Sequence, residues 1–183
     1  MNDVGGYSCP PSTQCPFGSS VPQGCPAGTS NPNFGVTTCP SCPAGTFCPG
    51  NSTYPGECPL RHYCTAGTKN PTICPNGTYG NAVNLTSAED CTPCPSGNFC
   101  IDGMISGLCS AGYFCRSRQG SPTPILDLSN ITNIALQVVY LNSMKGGQCP
   151  PGHYCPKGTS VPRSCPLYTV RAETYGTNIS DCG

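Results

Sequence analysis

The cysteines of this chain fall on one repeating ruler, and that spacing limits what it can fold into more than any other feature. Cys58, Cys64, Cys74 and Cys91 are spaced C-x5-C-x9-C-x16-C, and Cys149, Cys155, Cys165 and Cys182 repeat that spacing without change. Cys9, Cys15, Cys25 and Cys39 repeat it with x13 in the last gap. Further C-x5-C pairs stand between these cassettes, at Cys42/Cys48, Cys94/Cys100 and Cys109/Cys115. Self-similarity at a period of about 16 residues marks an array in which each small unit leans on its neighbours. The expected fold is small and disulfide-rich: an elongated linear array of short β/turn repeats with little helix and no large hydrophobic core.

Eighteen of the 183 residues are cysteine, the density of a disulfide scaffold, and the even count lets all of them pair. Leu, Ile, Val and Phe together number 28 and Trp is absent, too little apolar material for the core a soluble domain of this length normally buries. A net charge of zero also argues against a self-repelling disordered chain. Covalent closure must stand in for the core. A loop of about 15 residues closed by a disulfide contributes roughly 3 kcal/mol in the chain-entropy account, and shorter loops less.

Such chemistry needs an oxidising compartment, so the chain is expected to be secreted or at the cell surface. Met1 leads into Asn2, Asp3 and Gly5-Gly6 with no apolar signal-peptide region, which suggests a mature product or an excerpt of a longer protein. No stretch approaches the roughly 20 apolar residues of a membrane span. Eight basic and eight acidic side chains are scattered, with Glu89-Asp90 the one adjacent pair, without the basic stripe that nucleic acid requires.

After most unit-opening cysteines the chain reads Cys-Pro-x-Gly, a polar residue, then an aromatic, as in residues 42–48 and 94–100. Proline presets φ at the second place of a turn and glycine suits the fourth, so a type I turn over Cys-Pro-x-Gly is the simplest reading. Pro150-Pro151 then requires a different turn. The aromatics before the second cysteine (Phe47, Tyr63, Phe99, Phe114, Tyr154, with Tyr79 in a long arm) are placed to cover disulfides. In the x9 linkers a proline stands seven residues after the cysteine, at Pro22, Pro55, Pro71 and Pro162, which favours a stiff, extended connector. The chain divides into a lead-in (1–8), cassettes at 9–41 and 42–93, repeat units at 94–118, a β-rich insert at 119–148 and a last cassette at 149–183. Asp90-Cys91 is followed by Thr92-Pro93-Cys94, and by that rhythm a further unit is expected after Asp181-Cys182-Gly183.

The cysteine spacing and the Cys-Pro-x-Gly-x-aromatic pattern resemble the ephrin-receptor-like cysteine-rich repeats of many extracellular proteins, over residues 9–115 and 149–182. The resemblance implies an extracellular, elongated, non-catalytic module. The long arms also look like the first loop of tumour-necrosis-factor-receptor-like modules, which implies that their ends pair, as Cys25-Cys39, Cys74-Cys91 and Cys165-Cys182. The six C-x5-C couples then close locally: Cys9-Cys15, Cys42-Cys48, Cys58-Cys64, Cys94-Cys100, Cys109-Cys115 and Cys149-Cys155. A staggered alternative stays open. It joins Cys15-Cys25, Cys48-Cys58, Cys64-Cys74, Cys100-Cys109, Cys115-Cys149 and Cys155-Cys165, forces Cys39/Cys42 and Cys91/Cys94 into tight loops, and strands Cys9 and Cys182. The sequential scheme is preferred.

The two CxxC pairs, Cys39/Cys42 and Cys91/Cys94, invite a zinc or redox reading, but each is the seam between two units and neither has four matched ligands or a βαβ setting. His62 and His153 share the fourth position after a unit-opening cysteine with Thr46, Asn98 and Tyr113, which is the mark of a surface slot. The carboxylates are dispersed, with no calcium-loop pattern. No catalytic residue, metal or cofactor is expected, and the chain is read as not an enzyme. Five N-x-[ST] sequons, at Asn51, Asn76, Asn84, Asn130 and Asn178, point to N-linked glycans. Ser121-Pro122-Thr123-Pro124 is a compositional candidate for O-linked sugar.

Between Cys115 and Cys149 the expected x9 becomes x33. Residues 125–141, ILDLSNITNIALQVVYL, are the most apolar of the chain and rich in β-formers at 134–141. They read as a hairpin or strand folded over neighbouring units, as a strand added to another copy of the chain, or as a short helix. The second reading makes Ile134, Leu136, Val138 and Tyr140 an assembly contact. Two functions follow: a structural subunit of an extracellular, glycosylated filament or cell-surface fibre that assembles with copies of itself, or the ligand-binding stalk or ectodomain of a cell-surface receptor.

Overall fold

The computed structural model describes residues 3–4, 7–125, 146–166 and 176–183. Among them sixteen short strands pair into eight two-stranded antiparallel sheets, and the only helices are single 3-10 turns at Ala88–Asp90 and Ile179–Asp181. The chain is a small, disulfide-rich series of β/turn repeats. By contact it falls into two compact units: Met1–Cys74 with Gly80–Cys91, and Pro75–Tyr79 with Thr92–Gly183.

The turn that opens each repeat lies one residue later than the sequence suggested, and it is of another type. The bond that closes it runs from the fifth residue to the second: Thr46 N–H donates to Pro43 O at 3.2 Å, Asn98 to Pro95 at 3.2 Å, and His62 to Pro59 at 3.3 Å. Proline is therefore the first residue of the turn, and the glycine is the third, with positive φ (83° at Gly45, 81° at Gly97). A type II turn requires that conformation there; type I does not. The shift also removes the exception expected at Pro150-Pro151. Pro151 takes the second place, which favours proline, and His153 N–H closes the same bond to Pro150 O at 3.2 Å. Where the fifth residue is threonine, its hydroxyl donates to the same carbonyl as its amide, at 2.6 Å in Thr13, 2.7 Å in Thr46 and 2.6 Å in Thr78.

The fourth residue of each repeat then joins one turn to the next. Gly45 N–H donates to Cys64 O at 2.8 Å, and Gly45 O accepts from Cys58 N–H at 3.0 Å. Outside this inner pair, Cys48 N–H donates to Thr68 O at 2.9 Å, and Gly67 N–H to Cys42 O at 2.8 Å. The same four bonds recur around Ser12, Gly28 and Arg61 in the first unit and around Gly97 and Gly112 in the second, and the inner pair recurs at Gly77. Backbone amides that a helix or broad sheet would satisfy are satisfied here by this ladder.

The x9 linkers are not straight connectors. The residue pairs Gln23–Gly24, Gly56–Glu57, Thr72–Ile73 and Arg163–Ser164 fold back against Thr13–Gln14, Thr46–Phe47, His62–Tyr63 and His153–Tyr154. Pro22, Pro55, Pro71 and Pro162 each stand immediately before the returning strand. A proline there sets φ for entry into the strand, and its missing N–H falls outside the paired rungs. The long connector obeys the same rule: Gly146–Gln148 pairs with Tyr113–Cys115, and all four ladder bonds are made around Gly112.

Nine disulfides use every cysteine, with Cα–Cα distances of 5.6 to 6.4 Å. The pairs are Cys9-Cys15, Cys25-Cys39, Cys42-Cys48, Cys58-Cys64, Cys74-Cys91, Cys94-Cys100, Cys109-Cys115, Cys149-Cys155 and Cys165-Cys182, the set named in the sequential scheme. The described core is these sulfurs: every cysteine but Cys165 is buried, and the one large apolar side chain buried with them is Phe114, against Cys149 and Cys155. Phe47 and Phe99 also pack within their own hairpins. Each faces the glycine opposite it in its own hairpin, Gly56 and Gly107, whose missing side chain leaves room for the ring.

A side chain at Gly28 meets two obstacles: φ is +90°, and a Cβ would strike the carbonyl oxygen of Gly67. Gly67 itself has φ +75° but open space around it. Gly67→Ala is therefore expected to cost about 1 kcal/mol from backbone strain alone, and Gly28→Ala at least about 1 kcal/mol more. Denaturant unfolding of the two variants with bridges intact measures the gap; equal losses would mean that the close approach at Gly28 is not stabilising.

Candidate functional surface

The positions singled out by sequence fall into three groups. Cys39 and Cys42 belong to different bridges, as do Cys91 and Cys94, so neither CxxC is a chemical unit of its own. His62 Nδ1 lies 2.9 Å from Leu60 O and His153 Nδ1 3.0 Å from Pro151 O, each bonding the carbonyl of the turn it sits on. Asn98 does the same from the equivalent position, its amide reaching Ser96 O at 3.3 Å. Among the described residues, no three His, Cys, Asp or Glu side chains gather in a way that would hold a metal, and no helix is long and apolar enough to cross a membrane.

Of the sequons, Asn51, Asn76, Asn84 and Asn178 are exposed, while Asn130 lies outside the described residues. Asn51 and Asn84 also have a backbone role. Their φ values are 50° and 61°, and their amides donate to Cys25 O and Cys58 O at 2.8 Å each. Gly67 and Gly158 make the equivalent bond elsewhere. Asparagine tolerates the left-handed region better than most residues, so local geometry explains it at those two places whether or not sugar is attached. The assembly residues Ile134, Leu136, Val138 and Tyr140 lie outside the described residues; Ile125, at the start of that stretch, is exposed.

Three features had not been recognised from sequence. In the cysteine-closed turns the seventh position is cysteine, but in the first long arm it is Asn31, fully buried. Its amide donates to Thr13 O at 2.9 Å and Asn33 O at 2.7 Å, and its carbonyl accepts from Asn33 N–H at 2.9 Å. That set of bonds meets the cost of burying the amide. The second arm places Gly80 there, where a Cβ would crowd the Arg61 backbone.

The second feature closes the arms. Asp90 Oδ2 accepts from Thr86 N–H at 2.9 Å, the Thr86 hydroxyl at 2.7 Å and Ser87 N–H at 3.0 Å. Asp181 repeats this with Thr177 and Asn178, at 2.7, 2.9 and 3.1 Å. The sequence signal is T-x3-D-C, present at 86–91 and 177–182. The first arm lacks it, and there Gln14 Oε1 accepts from Cys39 N–H at 3.1 Å.

The third feature is apolar surface. Phe17, at the tip of the Pro16-Phe17-Gly18-Ser19 turn, is 99% exposed; Tyr54 and Phe34 are 73% and 69% exposed. All three belong to the first unit. In the second, Met104, Ile105 and Leu108 of the strand Met104–Leu108 are exposed.

No protein-family model matches the chain, and no curated protein is similar enough in sequence to count as a relative.

The Thr86 hydroxyl, and after it the Thr86 and Ser87 amides, hold the Asp90 carboxyl below its ordinary value of 3.8. A depressed carboxyl stabilises the folded arm above the ordinary value, and that contribution fades as pH falls through the lower folded value. Titration followed by the Thr86 and Ser87 amide shifts is expected to show a midpoint below 3.8. The transition should vanish in Asp90→Asn; a midpoint at or above the ordinary value would contradict the cap.

Proposed function

We propose that this chain is a non-catalytic structural subunit of an extracellular, glycosylated filament or cell-surface fibre. The observation that carries the reading is the ladder: one four-bond seam, made from the same positions of each repeat, recurs through both units. Chemistry that needs one irregular cleft is poorly served by such uniformity; a structural element is well served by it. The likeness to ephrin-receptor-like cysteine-rich repeats agrees with this. Nine disulfides are suited to an oxidising environment outside the cytosol. Four exposed sequon asparagines offer attachment sites for N-linked glycans.

Assembly with copies of the same chain is assigned to Ile134, Leu136, Val138 and Tyr140, on the strength of their β-forming, apolar sequence. A contact repeated head to tail propagates without closing and generates a filament. The second reading, the ligand-binding ectodomain of a receptor, draws on the exposed Phe17, Phe34 and Tyr54. Exposed aromatics of that kind often anchor a partner.

Negative-stain microscopy of the purified chain separates the two: fibres are expected, and Leu136→Lys with Val138→Lys should stop their growth while the bridges still form. Single particles at every concentration would favour the receptor reading, and fibres unchanged by the double variant would remove 134–140 from the contact. Treatment of natively produced protein with an N-glycanase should convert at least two of Asn51, Asn76, Asn84, Asn130 and Asn178 to aspartate, read by mass spectrometry. Conversion at none would count against the secreted assignment.

A further inference from the structure

We infer that the bridges and the ladder together make this chain an extensible element whose stretch is limited covalently, one that lengthens seam by seam under tension and recovers when tension is released. The inference gains its relevance from the fibre reading, but it concerns a property of the single chain. It begins from where the covalent closures lie. Each disulfide joins two cysteines within one turn or one arm, with sequence separations of 6 in six cases, 14 in one and 17 in two. No disulfide joins one repeat to the next. Between successive repeats the seam consists of backbone hydrogen bonds, such as the four around Gly45, with side-chain packing such as Phe114 against Cys149 and Cys155. Such contacts yield at far lower load than a sulfur–sulfur bond.

Tension applied at the two ends therefore has two classes of chain to act on. The separations within bridges add to 84 of the 182 Cα-to-Cα steps, and these are shielded while the bridges last. The other 98 steps lie in the connectors and ends, and they are released as seams open. Five of the connectors are nearly uniform, and one, Cys115 to Cys149, is far longer at 34 steps. Cys15 to Cys25, Cys48 to Cys58, Cys64 to Cys74 and Cys155 to Cys165 each span 10 steps, and Cys100 to Cys109 spans 9. Each of these five is folded back as a short hairpin, so opening its seam frees a length of up to about 30 Å, whereas the 34-step connector frees up to about 110 Å.

Recovery follows from the same arrangement. A protein with a central core loses its folding template when pulled apart, because distant segments must find each other again and close large loops. Here each turn keeps its disulfide, so the loop-closure entropy of the turn is already met. What must re-form is a set of bonds between repeats adjacent in sequence. Contacts of such short range re-form quickly, and relaxation should retrace extension with little hysteresis.

Single molecules held by handles at the two ends, in optical tweezers, provide the test. At roughly 3.4 Å per step, the oxidised chain should reach a limit of about 390 Å and the reduced chain about 620 Å, a gain of about 230 Å on adding reductant. Extension of the oxidised chain should proceed in several steps of up to about 30 Å, with one larger step of up to about 110 Å from the connector between Cys115 and Cys149, rather than in a single event. The variant Cys74→Ala with Cys91→Ala should raise the oxidised limit by about 50 Å, since it frees one 17-step arm. An oxidised chain that gives way in a single large step with wide hysteresis would overturn the inference, as would one whose limit does not change on reduction. Neither result bears on fibre formation, and a chain that makes no fibres can still show the stepped, limited extension.

Discussion

One backbone conformation underlies the ladder. The fourth residue of every described turn sits at positive φ, whether it is glycine, as at Gly28, Gly45, Gly77, Gly97, Gly112 and Gly152, or a residue with a side chain, as at Ser12 and Arg61. That conformation closes the turn behind it and directs both its amide and its carbonyl toward the next repeat. Arg61 pays for this with a φ of 73° that glycine would adopt without strain, and it is held there by Gly80 and Cys74 through the same inner pair of bonds. The ladder thus tolerates a poorly suited residue at this rung because its neighbours fix the geometry.

The disulfides make this backbone arrangement sufficient without a conventional core. Two-residue strands have almost no independent stability, and among the described residues the buried apolar surface is mostly sulfur. Closing a six-step loop lowers the entropy of the unfolded chain by an amount worth about 2 kcal/mol, by the chain-entropy account. That is comparable to several of the net hydrogen bonds each turn then makes. Bridges and ladder are complementary: the first hold each turn together, and the second hold turns to one another. Asn31 shows what happens when a bridge is absent from the seventh position. A buried amide with three hydrogen bonds takes over the local role, and the cysteine partner moves down the arm to Cys39.

Much of this was legible in the sequence because the constraint is periodic. The cysteine ruler located every turn, and the Cys-Pro-x-Gly pattern announced turns of some type at 42–48 and 94–100. The type was misread because glycine suits the fourth place of one turn and the third place of another, and only the hydrogen bond from Thr46 to Pro43 separates them. Pro22 and Pro55 suit both an extended connector and the entry to a hairpin; which of the two depends on pairing partners 9 to 11 residues away in sequence, Phe47 with Gly56 and Thr13 with Gly24. The caps at Asp90 and Asp181 were within reach of sequence, since T-x3-D-C occurs in two arms. Asn31 was not, because nothing local distinguishes a buried asparagine from the many exposed ones in this chain.

The seam around Gly112 carries a last consequence. Its four hydrogen bonds match those around Gly45, although the connectors that leave the two turns differ by 24 residues in length, 33 against 9. The ladder therefore registers only the first and last few residues of a connector and is blind to what lies between. Each hairpin tip becomes a place where foreign sequence can be carried without renumbering the repeats on either side. A lineage built on this plan can diversify its surface by lengthening connectors while its turns stay constant, and a designer can graft peptides at the same positions.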